Sequence, residues 1–376
     1  MQYRKERIFD MDLIKKVRAL GLMSGTSLDG VDIAAITTDG FDVYDFGPSR
    51  TVPYDEVMRE NIRAVLGKKP DNENDAAQIR QVEEELTRFH AAAVKEFIAD
   101  TDEKIDVIGF HGHTIHHEPQ NRYTHQIGNG AALAEQTGIK VVCRFRNADV
   151  AAGGEGAPLV PVFHNALCAN MEKPVGVLNI GGVSNITWIG SNGEMLAFDT
   201  GPGNAPINDW VLKHAGQHMD YNGKLAALGN INGKVLAALM RHKYFAQYPP
   251  KSIDRNIFRD KLEHLEGLSL EDGAATATAF TAEAVAYSCA MYLPEMPRQI
   301  IICGGGARNP TLVRFIRQRF ENVEVRTAND LGWNADELEA QAFAFMAVRR
   351  LYNLPISFPA TTGVPEPMVG GEIFEP

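Results

Sequence analysis

Glycine turns flanked by carboxylates are the residues in this sequence whose types and spacing could do chemistry. The first turn lies in GLMSGTSLDGVD (residues 21–32), where Asp29 and Asp32 accompany Gly25 and Gly30. Glycine permits the positive φ angle or the close backbone approach that a phosphate-binding loop needs. The stretch lacks the GK[ST] sequence and the nearby lysine of a Walker A loop. Taken alone, it favours a tight polar hairpin over a phosphate loop.

Further glycine turns follow apolar segments that are predicted to be strands. They form three groups: Gly181 and Gly182, Gly201 and Gly203, and Gly304, Gly305 and Gly306. Because α/β proteins place ligand-binding loops at the ends of strands, this recurrence favours a bound ligand over loop chemistry alone. Asp199 stands just before the second group, in AFDTGPGN. A carboxylate there can orient water, accept a proton or bind Mg²⁺, and a turn-capping aspartate is the open alternative.

A cluster of histidines forms a second candidate site. The stretch HGHTIHHE contains His111, His113, His116, His117 and Glu118. Two histidines in alternate positions of a strand project to the same face, as in several zinc sites. The stretch has no HExxH sequence, and no third ligand follows from its spacing. Polar contacts to a substrate are therefore the preferred hypothesis, and a zinc site is the alternative.

Composition excludes several classes of partner. The 376 residues carry a formal net charge of −11 without a long basic block, which argues against nucleic acid or an anionic membrane surface as the main partner. No apolar run approaches the roughly 18 residues of a membrane span, and the first residues lack the apolar core of a signal peptide. The cysteines are widely spaced without a CxxC pair, which predicts reduced thiols and a cytoplasmic protein: Cys143, Cys168, Cys289 and Cys303.

The order of predicted elements indicates two similar α/β halves with a cleft between them. A strand, a glycine turn and a second strand are predicted at residues 17–37 and again at 175–189. Apolar residues at helical spacing predict long helices at 76–100 and 334–354. The tail from residue 361 is rich in proline and glycine, and is predicted to lack regular structure.

Motifs in a fixed order resemble those of the anhydro-N-acetylmuramic acid kinase family, over about residues 19–371. The matching stretches are GLMSGTSLDGVDIA, FHGHTIHHEP, VAAGGEGAPLVPVFH, LNIGGVSNIT, AFDTGPGNAPIND, CGGGARNP and NADELEAQAFAFMA. The resemblance implies the fold of the actin, hexokinase and Hsp70 superfamily, in which two ribonuclease-H-like α/β domains enclose an ATP-binding cleft. The expected domains are residues 1–145 and 146–355, with the segment 356–376 packing back on the first.

The resemblance also implies an activity. The expected enzyme uses ATP to convert 1,6-anhydro-N-acetylmuramic acid into N-acetylmuramic acid 6-phosphate during peptidoglycan recycling in the cytoplasm, opening the anhydro bond with water. Asp199 is the expected base, and Glu339 is a second carboxylate that polarises the water or holds the sugar. The alternative is an ATP-binding sugar sensor or regulatory paralogue with the same fold. A homodimer is compatible with either function.

The same resemblance implies three sets of binding residues. ATP and its phosphates are expected to contact Gly25, Thr26, Ser27, Leu28, Asp29, Gly30, Val31, Asp32, Gly181, Gly182, Gly304, Gly305 and Gly306. Mg²⁺ is expected at Asp29 and Asp32, directly or through water. The sugar is expected to contact His111, His113, Thr114, Arg146, Gly201 and Asn204, with Asp149 and His164 as weaker candidates.

Four positions depart from the usual family pattern. Asn129 and Arg144 stand where the family usually has aspartate, while His113 and Glu155 stand where it usually has glutamine. All four lie in stretches that are expected to face the sugar. The departures predict that any change in substrate specificity arises there, while the nucleotide motifs and Asp199 are intact.

Overall fold

The computed structural model describes residues 15–25, 28–254, 256–335 and 337–376, without the side chain of Asp260. They divide into two compact units, with chain bounds Met1–Ala169 and Glu337–Pro376 for the first and Asn170–Asp336 for the second. The expected boundaries at residues 145 and 355 therefore differ from the observed ones. The difference arises because a short helix after residue 160 and a long helix after residue 337 both pack in the first unit.

The first unit is built on a twisted sheet whose central strands run through apolar sequence. Its order is β3-β2-β1-β4-β6-β12, with β5 paired to β4. Strand β1 is antiparallel to β2 and parallel to β4. The strands of this sheet are β1 (Val17–Ser24), β2 (Gly30–Thr38), β3 (Val43–Pro53), β4 (Val107–Glu118), β5 (Tyr123–Ile127), β6 (Lys140–Cys143) and β12 (Glu372–Phe374).

The second unit repeats this arrangement. Its strands are β7 (Val175–Ile180), β8 (Val183–Ile189), β9 (Met195–Pro202), β10 (Gln299–Cys303) and β11 (Glu324–Thr327). Their order is β9-β8-β7-β10-β11, where β8 is antiparallel to both neighbours and β10 is parallel to β7 and β11. Counted within each unit, and leaving out β5, which pairs only with β4, both sheets contain the order 3-2-1-4-5 with the second strand reversed. This is the ribonuclease-H-like topology, so the expected fold class is confirmed.

Helices cover the sheets and begin at predictable caps. For example, Asn309 accepts a hydrogen bond from the backbone N–H of Leu312, directly before a helix with Pro310 in its first turn. The helices are α1 (Glu56–Val65), α2 (Glu73–Thr101), α3 (Gly130–Thr137), α4 (Asn147–Ala151), α5 (Pro161–Leu167), α6 (Ala205–Ala215), α7 (Lys224–Leu228), α8 (Gly233–Leu239), α9 (Leu270–Tyr292), α10 (Pro310–Arg317), α11 (Leu338–Leu351) and α12 (Pro359–Thr362). Short 3₁₀ turns include Lys243–Ala246, Arg259–Leu265 and Gly305–Arg308. No helix in the described part of the chain is long and apolar enough to cross a membrane.

Helix α11 is part of the core of the first unit. A Cβ on Gly21 of β1 would lie 1.7 Å from the carbonyl oxygen of Ala340, and one on Gly109 of β4 would lie 2.1 Å from that of Phe343. Because only glycine allows this approach, the helix can lie directly on the central strands. On another face of the sheet, α2 buries Val94 and Phe97.

In the second unit, α9 is enclosed on several sides. Its residues from Gly273 to Ala282 are buried, and they are mostly alanine and threonine. Two apolar clusters share this helix, one with Phe198 of β9 and the other with Trp210 of α6. Small side chains allow the surrounding elements to approach closely, which explains the unusual alanine content of this stretch.

The tail contains regular structure, so the prediction that it lacks any is wrong. Helix α12 forms one turn, and β12 pairs antiparallel with β6, with Glu372 opposite Cys143. A strand of three residues is too short to show a periodic pattern, and its hydrogen-bond partners lie far away in the sequence. Local patterns therefore did not predict it. The segment lies on the first unit, as its pairing with β6 requires.

Candidate active site

The turn between β1 and β2 supplies the first group of predicted phosphate contacts. The backbone N–H of Leu28 donates to the Gly25 carbonyl over 3.1 Å, and Leu28 itself has φ of 60°. A Cβ on Gly30 would lie 2.2 Å from the Val52 carbonyl oxygen, so this glycine is required for contact with β3. The predicted contacts Thr26 and Ser27 lie outside the described residues.

A buried hydrogen-bond chain lies behind this turn. The Tyr54 hydroxyl donates to Ser24 Oγ over 2.8 Å, and Ser24 Oγ lies 2.9 Å from His113 Nδ1. Burial lowers the pKa of His113 to about 4, so its ring is neutral at physiological pH. His113 is fully buried in the first unit, and its predicted contact with the sugar stays a prediction. The sequence pattern did not indicate Tyr54, since no motif contains it.

Two carboxylates accompany the turn. Asp29 is exposed, and Asp32 is half-buried with its Oδ1 accepting a hydrogen bond from Thr51 Oγ1 over 2.6 Å. Burial raises the pKa of Asp32, opposed by the Thr51 hydrogen bond and supported by the charge of Asp29. Within the described ranges, no group of three or more His, Cys, Asp or Glu residues could hold a metal ion. The zinc alternative therefore gains no support.

Residues from separate predicted motifs converge around Arg146. Its Nη1 donates to the Gly156 carbonyl over 2.7 Å, and its Nη2 lies 3.1 Å from His111 Nε2. Burial and the nearby guanidinium lower the pKa of His111, so the neutral ring presents Nε2 as an acceptor. The carboxylate of Glu339, in the first turn of α11, stabilises the charge of Arg146.

Asp149 and Thr362 tie the tail to this group. Asp149 Oδ1 accepts a hydrogen bond from the Gly156 N–H over 2.6 Å, and its Oδ2 accepts one from Thr362 Oγ1 over 2.5 Å. The two bonds occupy both carboxylate oxygens. Asp149 therefore shapes the glycine loop of residues 153–156, and Thr362 is a contributor that no motif indicated.

In the second unit, three glycine turns meet at the carboxyl ends of β7, β9 and β10. The N–H of Gly203 donates to the Gly182 carbonyl over 3.0 Å, and the N–H of Asn204 donates to the Gly181 carbonyl over 2.7 Å. A Cβ on Gly304 would lie 2.2 Å from Asn179 Oδ1, in the strand that precedes the first turn. Helix α6 begins directly after Asn204, so its N-terminus points out of this edge.

The space available to an added Cβ differs among the glycines of these turns. A Cβ on Gly182 or Gly305 would meet its nearest atom only at 3.9 or 3.7 Å. A Cβ on Gly306 would lie 2.5 Å from the side chain of Ile180, and one on Gly201 would lie 3.0 Å from Ala284. The first two glycines leave room for a ligand, while the last two are required for packing.

Asp199 lies in β9, three residues before the end of that strand. Its Oδ2 accepts a hydrogen bond from the Ile253 N–H over 2.8 Å, and its own N–H donates to the Lys251 carbonyl over 3.0 Å. Burial raises the pKa of Asp199 to about 7, against the opposing effects of the Ile253 N–H and the Lys251 charge. A carboxyl group with this pKa can exchange a proton efficiently near neutral pH.

The sequence model of the anhydro-N-acetylmuramic acid kinase family matches residues 17–376 of this chain. The chain belongs to this family. The enzyme of that name from Paramagnetospirillum magneticum is 50% identical over 95% of this chain and 99% of its own. The one from Acidiphilium cryptum is 48% identical over 96% and 99%. Family membership favours the enzyme over the sensor paralogue as the interpretation of this sequence.

Similarity to solved structures is more distant. The activator of the 2-hydroxyisocaproyl-CoA dehydratase from Clostridium difficile, with bound ADPNP, is 13% identical. The similarity covers 89% of this chain and 96% of the activator's chain, with a TM-score of 0.46.

The departures from the usual family pattern have local structural roles. Asn129 Oδ1 caps α3 by accepting from the Ala132 N–H over 3.0 Å. Arg144 has φ of 58° and pairs with Glu372 of β12 at 2.7 Å, with both side chains half-exposed. These contacts give Asn129 and Arg144 a structural role that does not involve the sugar. The effect of the two residues on substrate specificity stays a prediction.

Among the remaining predicted sugar contacts, His164 is the most deeply placed. It lies buried in α5, and burial lowers the pKa of its ring to about 3. Thr114 Oγ1 accepts a hydrogen bond from Gln126 Nε2 over 3.2 Å, and Asn204 Nδ2 donates to the Ile180 carbonyl over 3.2 Å. Thr114 and Asn204 thus already have structural partners, and the contacts of all three residues with the sugar stay predictions.

Proposed function

We propose that this member of the family uses ATP to convert 1,6-anhydro-N-acetylmuramic acid into N-acetylmuramic acid 6-phosphate. The observation that carries the proposal is the buried Asp199 carboxyl group, whose pKa is raised to about 7 beside turns with open glycine backbone. A base of this pKa is suited to removing a proton from water at neutral pH. The relatives from Paramagnetospirillum magneticum and Acidiphilium cryptum bear the name of this enzyme, and the similarity extends over almost their whole length.

The reaction balances with a single base. Asp199 takes a proton from water, the water oxygen bonds to C1, and the C1–O6 bond breaks. An inverting glycosidase needs a second carboxylic acid to protonate the departing oxygen. Here O6 takes the γ-phosphoryl group of ATP instead, and ADP leaves. Asp199 then returns its proton to solvent, so the products are the 6-phosphorylated sugar, ADP and one proton.

Phosphate binding in the second unit is assigned to Gly182, Gly305 and the start of α6. The backbone at the two glycines is open, and a helix N-terminus supplies N–H groups and a partial positive charge. Gly181 shapes the first of these turns by accepting a hydrogen bond from the Asn204 N–H, and Gly304 and Gly306 shape theirs through close contacts. We place the adenosine end of ATP toward residues 304–306, and further phosphate contacts at the turn of residues 25–32 in the first unit.

The carboxylates of Asp29 and Asp32 fit a magnesium ion. Oxygen donors suit Mg²⁺, which keeps several waters and binds through one or two carboxylates plus substrate phosphates. A divalent cation would also relieve the repulsion through which Asp29 raises the pKa of Asp32. Bound there, the ion would neutralise the charge of the transferring phosphoryl group.

Sugar binding in the first unit is assigned to the group around Arg146 and His111. The guanidinium is oriented by Gly156 and by His111, while Glu339 supplies the balancing negative charge. We propose that Glu339 polarises the attacking water or holds a sugar hydroxyl. In this unit Thr114 is the proposed hydroxyl partner, and His113 acts through Ser24 at the neighbouring turn. Asn204 of the second unit is proposed separately as a sugar contact.

A cytoplasmic place in peptidoglycan recycling is consistent with the cysteines. All four are buried thiols: Cys143, Cys168, Cys289 and Cys303. Thiols persist in a reducing compartment, which is also the compartment that supplies ATP.

The test is turnover of the anhydro sugar in H₂¹⁸O with Mg²⁺ and ATP. The proposal expects ¹⁸O at C1 of the product and none in its phosphate. Asp199→Asn is expected to lower kcat by about 10²–10⁴-fold while nucleotide affinity is retained, since that is the usual contribution of a positioned base. Glu321→Gln, an exposed carboxylate of the same unit, is the matched control. Folded protein that binds ATP but leaves this sugar unchanged would instead support the sensor alternative.

A further inference from the structure

Lys251 is a buried lysine without a hydrogen-bond partner. Its exposed fraction is 8%, and within the described part of the chain its Nζ has no donor or acceptor contact. Lysine is almost never buried unless it is paired, because removing an ammonium from water is unfavourable. Its position therefore requires a physical explanation.

Aromatic faces surround the ammonium. Lys251 Nζ lies 4.1 Å from the ring centroid of Tyr292, 4.5 Å from that of Tyr244 and 5.7 Å from that of Phe198. The two tyrosine hydroxyls point elsewhere, since Tyr244 donates to the Asp199 carbonyl and Tyr292 to the Phe245 carbonyl. The rings thus hold the cation through their π faces and leave its three N–H groups uncommitted.

The backbone holds Lys251 beside Asp199. The Asp199 N–H donates to the Lys251 carbonyl over 3.0 Å, and two residues later the Ile253 N–H donates to Asp199 Oδ2 over 2.8 Å. The segment therefore pairs with β9 at the position of the carboxylate. Each of the two charges stabilises the ionised form of the other.

We infer that Lys251 is a positioning residue, whose ammonium, seated on the rings of Tyr244 and Tyr292, keeps the Asp199 carboxylate ionised and oriented as the base. This inference rests on the proposed function only in taking Asp199 as the base. An opposite charge within about 4–6 Å commonly lowers a carboxyl pKa by 1–3 units. Without the lysine, only the hydrogen bond from the Ile253 N–H would oppose the effect of burial on the Asp199 carboxyl group.

The titration behaviour of the pair agrees with this role. Burial lowers the pKa of Lys251 to about 8, whereas that of Asp199 is about 7. The titratable groups that face the pair are Tyr244 from the turn Lys243–Ala246 and Tyr292 from α9, and burial raises the pKa of both. Both tyrosines are therefore neutral near pH 7–8, and the two charged groups titrate as one coupled pair.

The experiment is the pH profile of kcat from pH 5.5 to 9.5. Lys251→Met is expected to move the acidic limb upward by at least one pH unit, which lowers turnover about tenfold at pH 6. Lys251→Arg is expected to keep the acidic limb of the original protein, because a guanidinium stays protonated over the whole range. Lys243→Met, an exposed lysine of the neighbouring turn, is expected to keep the original profile.

Two outcomes separate this inference from the proposed function. If Asp199→Asn is inactive but Lys251→Met has unmoved limbs and a uniformly lower kcat, Lys251 has only a structural role and the inference is overturned. If Asp199→Asn retains turnover, the base assignment itself fails. Should Lys251→Met not unfold cooperatively, Tyr292→Leu keeps the lysine and removes one ring; it is expected to raise the acidic limb, and an unmoved limb overturns the inference.

Discussion

Gly21 of β1 and Ala340 of α11 are in backbone contact, because a Cβ on residue 21 would lie 1.7 Å from the Ala340 carbonyl oxygen. This contact places the helix that carries Glu339 directly on the central strand of the first sheet. The proposed role of Glu339 therefore depends on a glycine more than 300 residues earlier in the chain.

Gly21→Ala is expected to destabilise the protein by about 3 kcal/mol, the upper end of the usual cost of overpacking, since a clash with backbone cannot be relieved by a rotamer change. The measurement is urea unfolding at pH 7.5. The matched control is Gly233→Ala in the first turn of α8, where an added Cβ has no atom within 4 Å. That variant is expected to be neutral or up to about 1 kcal/mol more stable. Equal effects of the two variants would contradict the packing argument.

Asp32→Asn is expected to raise the Mg²⁺ concentration for half-maximal turnover by about tenfold or more, because it removes one of two carboxylates proposed for the ion. Turnover is measured across a Mg²⁺ titration at saturating ATP, after removal of metal with EDTA. Asp71→Asn, an exposed aspartate of the same unit, is the control. An unchanged Mg²⁺ dependence in Asp32→Asn would show that the ion binds elsewhere.

Acid is expected to destabilise the protein through its buried neutral histidines. Burial lowers the pKa of His90 to about 4, from 6.5 when unfolded. Between these values the unfolded chain binds more protons, so the free energy of unfolding falls as pH decreases below 6.5. By pH 5, the low pKa of His90 lowers the free energy of unfolding by about 2 kcal/mol. The raised pKa of Asp199 acts in the opposite direction over pH 7 to 4.

His90→Gln isolates this contribution. Its free energy of unfolding, measured in urea at pH 7.5 and 5.0, is expected to fall by about 2 kcal/mol less than that of the original protein. His218→Gln replaces an exposed histidine and is expected to show the original pH dependence. If the free energy of unfolding of His90→Gln kept the original pH dependence, His90 would take up its proton as readily in the folded protein as in the unfolded chain.

Arg144→Asp restores the residue usual in the family. Since the ion pair with Glu372 is half-exposed, its loss is expected to cost at most about 1 kcal/mol. The structural contacts of Arg144 predict that KM for the sugar changes less than twofold, as measured by initial rates at saturating ATP. A tenfold change in KM would support the hypothesis that this position sets specificity.

Local patterns in the sequence predicted most elements near the site. The paired strands at residues 17–37 and 175–189 were recognisable because alternation and glycine turns are local signals. The order of the motifs identified the family and singled out Asp199.

Tertiary structure decided what depends on distant partners. Burial raises the pKa of Asp199, and the charge of Lys251, 52 positions later, opposes that rise; no motif links the two residues. His113 turns to Ser24, Thr362 holds Asp149, and β12 pairs with β6. By itself, the sequence determined the family, the turns and the carboxylate; the fold determined the environment of that carboxylate, because burial and charge are properties of residues brought together in space.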